Sequence, residues 1–131
     1  MNRILKNYAA FVLLLLITSV TMAQEKRSVN AEEFQNGIES EAPTVLDVRR
    51  PDEFKKGHLP QAININWQNQ RQFMEEAGKL DKSKPVYLYC LAGVRSSNAA
   101  DWLINNGFTK VIDLSGGIDA WKKARKPLVK N

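Results

Sequence analysis

Short apolar runs alternate with helix-forming segments along most of this chain. Continuous apolar runs predict buried strands, whereas helical spacing of apolar residues, with Asn or Pro at the start and Gly at the end, predicts helices. Strands are predicted at residues 44–48, 84–90 and 110–114, with a turn and a short strand within 58–67. Helices are predicted at residues 30–37, 51–56, 70–77 and 96–106, followed by a last helix that carries Ile118 and Trp121.

Two local expectations accompany these elements. Residues 24–27 are polar and are expected to form a frayed start of the domain. In the 70–77 helix, Phe73 and Met74 are expected to be buried, because they are the large apolar residues of that segment.

The alternation of strands and helices predicts the fold class. Parallel strands need long crossover connections, which are usually helices. The pattern therefore indicates a single α/β domain with a mostly parallel central sheet and helices on both faces. In such sheets ligands bind beyond the carboxyl ends of the strands. Cys90, the only cysteine, ends one predicted strand and precedes a helix, which places it at that edge.

The N-terminal segment has the order of a targeting sequence. Arg3 and Lys6 precede an apolar run over residues 9–20, and Thr-Met-Ala at 21–23 supplies small residues at a cleavage site. We therefore predict a signal peptide over residues 1–23, export to the periplasm and a mature domain of residues 24–131. The alternative is a retained membrane anchor, but the run is shorter than the roughly 20 residues that span a bilayer.

Composition excludes several classes of function. The chain has 131 residues, of which 44% are hydrophobic and 25% are charged, and this fits one globular domain. The formal net charge of +5 falls to +3 without residues 1–23, which carry two basic groups and no acidic ones, so the mature chain is mildly basic. The densest basic stretch, residues 122–126, has no interleaved aromatic residues. We therefore predict no nucleic-acid binding. The oligomeric state is left open.

A single cysteine cannot form an intramolecular disulfide. Composition alone leaves Cys90 open as a small buried hydrophobe, as half of an intermolecular bridge, or as a reactive thiol. His58 is the only histidine, and its "GHLP" context indicates a turn in which the ring packs or caps. With one cysteine and one histidine, we predict no metal site and no cofactor.

The loop after Cys90 favours the reactive thiol. The thiolate is the reactive form of cysteine, and helix N-termini and nearby arginine stabilise it. If the loop bends around the sulfur, its backbone N–H groups and the following helix dipole surround an anion. A glycine permits an unusual backbone angle, an arginine adds positive charge, and a serine can cap the helix. The loop residues are Leu91, Ala92, Gly93, Val94, Arg95 and Ser96.

This loop resembles the active-site loop of rhodaneses, sulfurtransferases whose single-domain members often carry C-x-x-G-x-R-S. Residues 45–65, "VLDVRRPDEFKKGHLPQAINI", are similar to the D-V-R…E-F…G-H-I-P-G-A-x-N-I signature of that family. Residues 105–128 are similar to its G-F…V-x-x-L-x-G-G-x-x-A-W ending. The resemblance covers about residues 28–130. The loop itself matches at Cys90, Gly93, Arg95 and Ser96.

The resemblance implies a ping-pong transfer of sulfur. Cys90 is expected to take a sulfane sulfur from a small anionic donor such as thiosulfate, to become a persulfide, and to pass the sulfur to a thiol or cyanide acceptor. Residues 91–96 are expected to contact the substrate and to stabilise the thiolate and the persulfide, as an oxyanion hole stabilises oxygen.

Three other functions stand beside this one. Cysteine phosphatases and arsenate reductases of the same fold place five residues between cysteine and arginine, whereas four residues separate Cys90 from Arg95. The shorter loop favours sulfur chemistry. A non-catalytic rhodanese-like binding module commonly loses the cysteine or distorts the loop, and this chain keeps both. A redox carrier that receives sulfur or oxidising equivalents from a thiol protein is also compatible with the sequence.

Two charged residues follow the first long apolar strand. Asp47 lies where an unpaired carboxylate is costly, so we expect it to support the site by pairing with Arg49 or with backbone donors; a direct catalytic role is the alternative. Arg49 either faces the pocket and attracts anionic donors or forms a structural ion pair. Gly116 and Gly117 predict a tight turn near the active-site loop.

Overall fold

The computed structural model describes residues 23–130. The signal peptide predicted over residues 1–23 therefore lies outside the described part, except for Ala23. The strands are β1 (Glu25–Val29), β2 (Thr44–Asp47), β3 (Ile63–Asn64), β4 (Val86–Tyr89) and β5 (Lys110–Leu114). The helices are α1 (Ala31–Glu41), α2 (Pro51–Lys56), α3 (Gln70–Ala77), α4 (Val94–Asn105) and α5 (Gly117–Lys123).

The five strands form one parallel sheet in the order β1-β5-β4-β2-β3. One face of the sheet packs against α3 and α4, and the other packs against α1 and α5. The predicted α/β architecture, with a parallel sheet and helices on both faces, is therefore confirmed. Between residues 23 and 130 no helix has the length and hydropathy needed to cross a membrane.

The prediction of a frayed start at residues 24–27 is wrong. Residues 25–29 form β1, an edge strand that pairs with β5 from Glu25 opposite Lys110 to Val29 opposite Leu114. Val29 is the buried residue of this strand, so no apolar pattern marks it in the sequence. Its order comes from backbone hydrogen bonds to β5, and a polar edge strand is what protects a sheet from unwanted pairing.

Two further expectations need correction. Met74 is 44% exposed, whereas Phe73 is fully buried, because Phe73 shares the inner face of α3 with Ala77, four residues later, and Met74 points about 100° away. Helix α4 begins at Val94, two residues before the predicted start. Gly93 is its N-cap and takes a left-handed conformation with φ of 115°.

Candidate active site

The loop between β4 and α4 places Cys90 at the carboxyl edge of the sheet. Strand β4 is flanked by β5 and β2, and all four of its residues are buried. The chain leaves β4 at Tyr89 and enters α4 at Val94. Cys90 therefore emerges from the interior of the sheet, at the edge where parallel α/β proteins bind their ligands.

The Cys90 sulfur is buried and contacted by its own loop. Only 1% of the residue is exposed. The Gly93 N–H donates to Sγ at 3.1 Å, and the Ser96 Oγ lies 3.4 Å from Sγ. Ser96 is fully buried, and its hydroxyl is placed to donate to the Gly93 carbonyl at 3.3 Å. The expectation that Ser96 caps the helix is wrong, because Gly93 is the N-cap and Ser96 contacts the sulfur from the first turn of α4.

The start of α5 supports the outer side of this loop. The N–H of Ile118 donates to the Cys90 carbonyl at 2.9 Å, and that of Asp119 donates to the Leu91 carbonyl at 3.2 Å. Gly117 has φ of 59°, and a Cβ there would lie 2.4 Å from the Leu91 oxygen and 2.6 Å from the Cys90 oxygen. The turn predicted at the two glycines thus lies directly against the loop, where no larger residue fits.

Arg95 forms an ion pair with Glu53 of α2. Arg95 Nη1 lies 2.7 Å from Glu53 Oε1, and Nη2 lies 3.0 Å from Oε2. The hydrogen bonds from Arg95 hold the pKa of Glu53 below its ordinary value, and the same bonds raise the pKa of Arg95. The sequence predicts that Arg95 contacts an anionic substrate, and this stays a prediction. In the structure its Nη1 and Nη2 groups donate to Glu53, which lies 42 residues earlier in the chain.

Asp47 and Arg49 form a buried ion pair after β2. Arg49 Nη2 lies 2.7 Å from Asp47 Oδ2, and Arg49 Nε lies 3.0 Å from Oδ1. The two side chains are 0% and 5% exposed, with Asp47 the more buried. Burial disfavours the charged guanidinium, but the hydrogen bonds and the charge of Asp47 outweigh burial and raise the pKa of Arg49. Arg49 also donates to the Gly57 carbonyl at 2.8 Å, so the pair joins the end of β2 to the turn after α2.

His58 packs within the turn after α2. Its ring stacks on Phe54 at a centroid distance of 3.8 Å, and its Nδ1 lies 2.9 Å from the Leu59 carbonyl oxygen. The His58 backbone pairs in both directions with Val129, at 2.8 and 2.9 Å. The packing interpretation of His58 therefore fits the structure. Within residues 23–130 no group of three or more His, Cys, Asp or Glu side chains could hold a metal ion.

A cleft of about 430 Å³ borders the active-site loop at Leu91. We call it the lysine cleft, and its lining residues are Arg49, Glu53, Lys56, Gly57, Leu91, Lys122, Leu128 and Lys130. Arg49 and Glu53 are each engaged in the ion pairs described above. The three lysines form no ion pair with a carboxylate of residues 23–130, so the cleft presents positive charge beside the loop.

Asp113 is a buried carboxyl group behind the loop. It lies on β5, only 8% of it is exposed, and its Oδ1 has no hydrogen-bond partner among the described residues. Burial raises the pKa of Asp113 to about 6, although the Ser96 hydroxyl, the Lys26 ammonium and the Leu114 N–H act in the opposite direction. Such an uncompensated buried acid is costly to a fold.

The structure thus brings the predicted residues Asp47, Arg49 and 90–96 to the carboxyl edge of the sheet and places Glu53 beside Arg95. Leu91 and Val94 are 41% and 74% exposed, and Ala92 is also exposed. These side chains flank the loop at the surface. Sequence reasoning missed Glu53 and Asp113 as parts of the site. In the sequence, Glu53 is interpreted only as a favourable acid in the first turn of α2. Asp113 is a single polar residue within an apolar strand, which indicates a buried acid but does not identify the residues around it.

Comparisons with known proteins agree with this architecture. Residues 30–124 match the model of the family described as "Rhodanese-like domain". The chain is 36% identical over 114 residues to the uncharacterized protein YqhL of Bacillus subtilis, covering 87% of this chain and 86% of that protein. It is 34% identical over 91 residues to the thiosulfate sulfurtransferase GlpE of Vibrio cholerae, covering 70% and 83% of the two chains.

A solved structure shows the same fold. The crystal structure of a rhodanese-related protein from Thermoplasma volcanium superposes with a TM-score of 0.71 at 34% sequence identity. The similarity covers 80% of this chain and 99% of that one.

Proposed function

Because this chain belongs to the rhodanese-like domain family, we propose that it is a sulfurtransferase that carries sulfur on Cys90. The observation that carries this proposal is the short loop itself. Gly93 donates to the Cys90 sulfur, the Ser96 hydroxyl lies beside it, and four residues separate Cys90 from Arg95. A relative at 34% identity is named a thiosulfate sulfurtransferase, which supports the same chemistry.

The proposed reaction has two transfers. The Cys90 thiolate attacks the outer sulfur of thiosulfate, a new S–S bond forms to Cys90, and sulfite leaves with the electron pair of the broken S–S bond. A thiol in its thiolate form, or cyanide, then attacks the terminal sulfur of the persulfide. This step regenerates the Cys90 thiolate and releases a persulfide or thiocyanate. The Gly93 N–H is placed to stabilise negative charge on the sulfur in both halves.

The lysine cleft supports an anionic donor. Lys56, Lys122 and Lys130 border the loop at Leu91, and a concentration of positive charge in a concave surface raises the local concentration of anions. In this arrangement the lysines attract the donor, while Arg95 and Glu53 hold the loop in its shape. The acceptor in the cell is a thiol or cyanide.

We also propose that the protein acts outside the cytoplasm. The charged, apolar and small-residue order of residues 1–23 supports cleavage after Ala23 and a mature domain of residues 24–131. N-terminal sequencing of the protein from a periplasmic extract tests this proposal. A protein that retains Met1 in every cell fraction contradicts it.

Intact mass spectrometry tests the transfer. Protein expressed from the full chain is reduced, treated with thiosulfate and desalted, and we expect the mass of one added sulfur atom. Cyanide should remove that mass and yield one equivalent of thiocyanate. The Cys90→Ser variant, which nearly preserves the side-chain volume, is the control and should gain no mass. A wild-type protein that gains no sulfur, from thiosulfate or from a neutral persulfide donor, overturns the proposal.

A further inference from the structure

Exposed large apolar side chains are concentrated beside the active-site loop. In the described part of the chain, four of the six such side chains lie in residues 91–94 or 127–130, namely Leu91, Val94, Leu128 and Val129. Leu91 and Leu128 both line the lysine cleft. Exposed apolar side chains that are grouped and rimmed by charge are typical of interaction sites, whereas single scattered ones are not. The cleft therefore offers an apolar contact in addition to its positive charge.

Residues 127–130 form a fixed wall of this cleft. Val129 exchanges two backbone hydrogen bonds of 2.8 and 2.9 Å with His58, which is buried. Leu128 and Lys130, the residues on either side of Val129, both line the cleft, as expected for an extended segment whose alternate side chains point the same way. A wall that is already ordered loses little conformational freedom when a ligand binds, which favours binding.

The lining of the cleft carries an excess of positive charge. Arg49 is neutralised by Asp47, and Glu53 is neutralised by Arg95. The three lysines of the cleft therefore determine the charge that a ligand meets. A surface of one sign selects partners of the opposite sign and speeds their association, so the complementary partner is acidic. A second copy of this chain, whose formal net charge is +5, is a poor match.

The cleft is larger than a small sulfur donor requires. Its volume of about 430 Å³ falls in the range of roughly 300–1,000 Å³ that is usual for sites of much larger ligands, whereas thiosulfate and cyanide contain only a few atoms. Cys90 is 1% exposed, and the cleft reaches the loop at Leu91, the next residue. A bound chain segment therefore has its reactive group beside the residue that follows Cys90.

We propose that the lysine cleft docks an acidic protein segment that presents the acceptor thiol to the Cys90 persulfide. Carboxylates of the partner pair with the three lysines, and an apolar side chain next to its cysteine packs against Leu91 and Leu128. The partner thiolate attacks the terminal sulfur, which moves to the partner with its proton. The new S–S bond forms on the partner, and the electron pair of the broken S–S bond returns to Cys90 as a thiolate. The choice of acceptor rests on the proposed function, but the docking surface does not.

Fluorescence anisotropy with synthetic peptides tests the docking surface without any sulfur transfer. The probe is a short labelled peptide with serine in place of cysteine, leucine on both sides of the serine, and aspartate and glutamate beyond. One matched peptide carries the corresponding amides, and another carries alanine in place of leucine. We expect protein expressed from the full chain to bind the acidic leucine peptide about 10-fold more tightly than either matched peptide, the scale of a few exposed ion pairs and one apolar contact.

Variants locate the binding. Changing the three lysines of the cleft together to Gln should remove the preference for acidic residues, and Leu128→Ser should remove the preference for leucine. The matched controls are Lys84→Gln and Met74→Ser, which change a lysine and an exposed apolar side chain outside the cleft and should keep both preferences. Binding that ignores the acids, the leucines or the cleft variants overturns the proposal. So does equally tight binding of single-stranded DNA through the same lysines.

Sulfur transfer to the cysteine forms of the same peptides gives a second readout. Protein loaded at saturating thiosulfate and desalted should pass sulfur to the acidic peptide about 10-fold faster, by kcat/KM per thiolate, than to the amide peptide. The ratio should fall towards one in the triple lysine variant and at high salt. A ratio near one in the wild type overturns the proposal. If the wild type takes no sulfur at all, the proposed function fails while the peptide-binding comparison still decides the docking surface.

Discussion

Arg95 and Glu53 join the first turn of α4 to α2 by two hydrogen bonds of 2.7 and 3.0 Å. The pair ties the active-site loop to a helix 42 residues earlier in the chain. A guanidinium that is bonded through Nη1 and Nη2 is positioned to keep the loop in its bent shape. We therefore propose that Arg95 supports the loop and that the lysine cleft attracts anions.

Replacing Arg95 should slow transfer from charged and neutral donors alike. Loss of a charge-assisted pair of this exposure is worth about 1.4 kcal/mol, so Arg95→Ala should lower kcat/KM about 10-fold for thiosulfate and for a neutral persulfide donor. Glu53→Gln should have a similar effect, and the double variant should be little worse than either single one. A loss confined to thiosulfate contradicts the supporting role and returns Arg95 to substrate binding.

The same pair predicts a pH dependence of stability. Because the pKa of Glu53 in the folded protein lies below its ordinary value of 4.5, the pair stabilises the fold above that value and the contribution is lost as the pH falls through the folded pKa. Urea unfolding of the wild type and Glu53→Gln should therefore differ at pH 6 and converge in more acidic solution. A difference that is constant with pH contradicts this prediction.

The lysine cleft should determine the affinity for anionic donors. Changing Lys56, Lys122 and Lys130 together to Gln should raise KM for thiosulfate several-fold, with the effect shrinking at high salt because ions screen exposed charges. A neutral donor should be unaffected. Lys84→Gln is a control for charge loss, since Lys84 precedes the amino end of β4 at the opposite edge of the sheet. Equal sensitivity of both donors to the triple change contradicts the prediction.

Gly117 should be required for the shape of the active-site loop as well as for the turn in which it lies. A Cβ there would lie 2.4 Å from the Leu91 oxygen, so Gly117→Ala should displace the loop, lower stability by about 1–3 kcal/mol and reduce persulfide formation sharply. Gly107→Ala is the matched control. Its φ of 92° is also left-handed, but the nearest atom to a Cβ is the flexible Lys82 side chain at 3.7 Å. The control should lose stability and keep its activity per folded molecule; comparable activity losses contradict the prediction.

The buried pair of Asp47 and Arg49 should contribute far more to stability than an exposed pair of the same kind. Arg49→Met leaves the Asp47 carboxylate, which is fully buried, without its cation, and should lower the free energy of unfolding by about 3–5 kcal/mol. Arg50→Met removes the exposed pair with Asp52 and should change it by less than about 1 kcal/mol. Urea unfolding measures both changes in the free energy of unfolding, as shifts of the midpoint at an unchanged m-value. Similar shifts in the two variants contradict the distinction.

The fold class and the position of the Cys90 thiol could be predicted from the sequence alone. Short continuous apolar runs that are bounded by turn residues indicate buried strands, and their alternation with helices favours parallel pairing. Cys90 ends such a run, so its place at the carboxyl edge follows from local pattern alone. The pairing of Asp47 with Arg49 was likewise foreseeable as one option, because the two residues lie two positions apart.

The contacts between distant residues at the carboxyl edge of the sheet could not be predicted, because they depend on how the elements pack in three dimensions. β1 is polar along most of its length, and its order depends on backbone bonds to β5, about 85 residues later. In the sequence Arg95 has no evident partner, whereas in the structure Glu53 of α2 forms an ion pair with it. The burial of Asp113 depends on how the helices pack on the sheet. Local propensity and periodicity report the neighbours of a residue along the chain, whereas charge pairing and desolvation depend on neighbours in space.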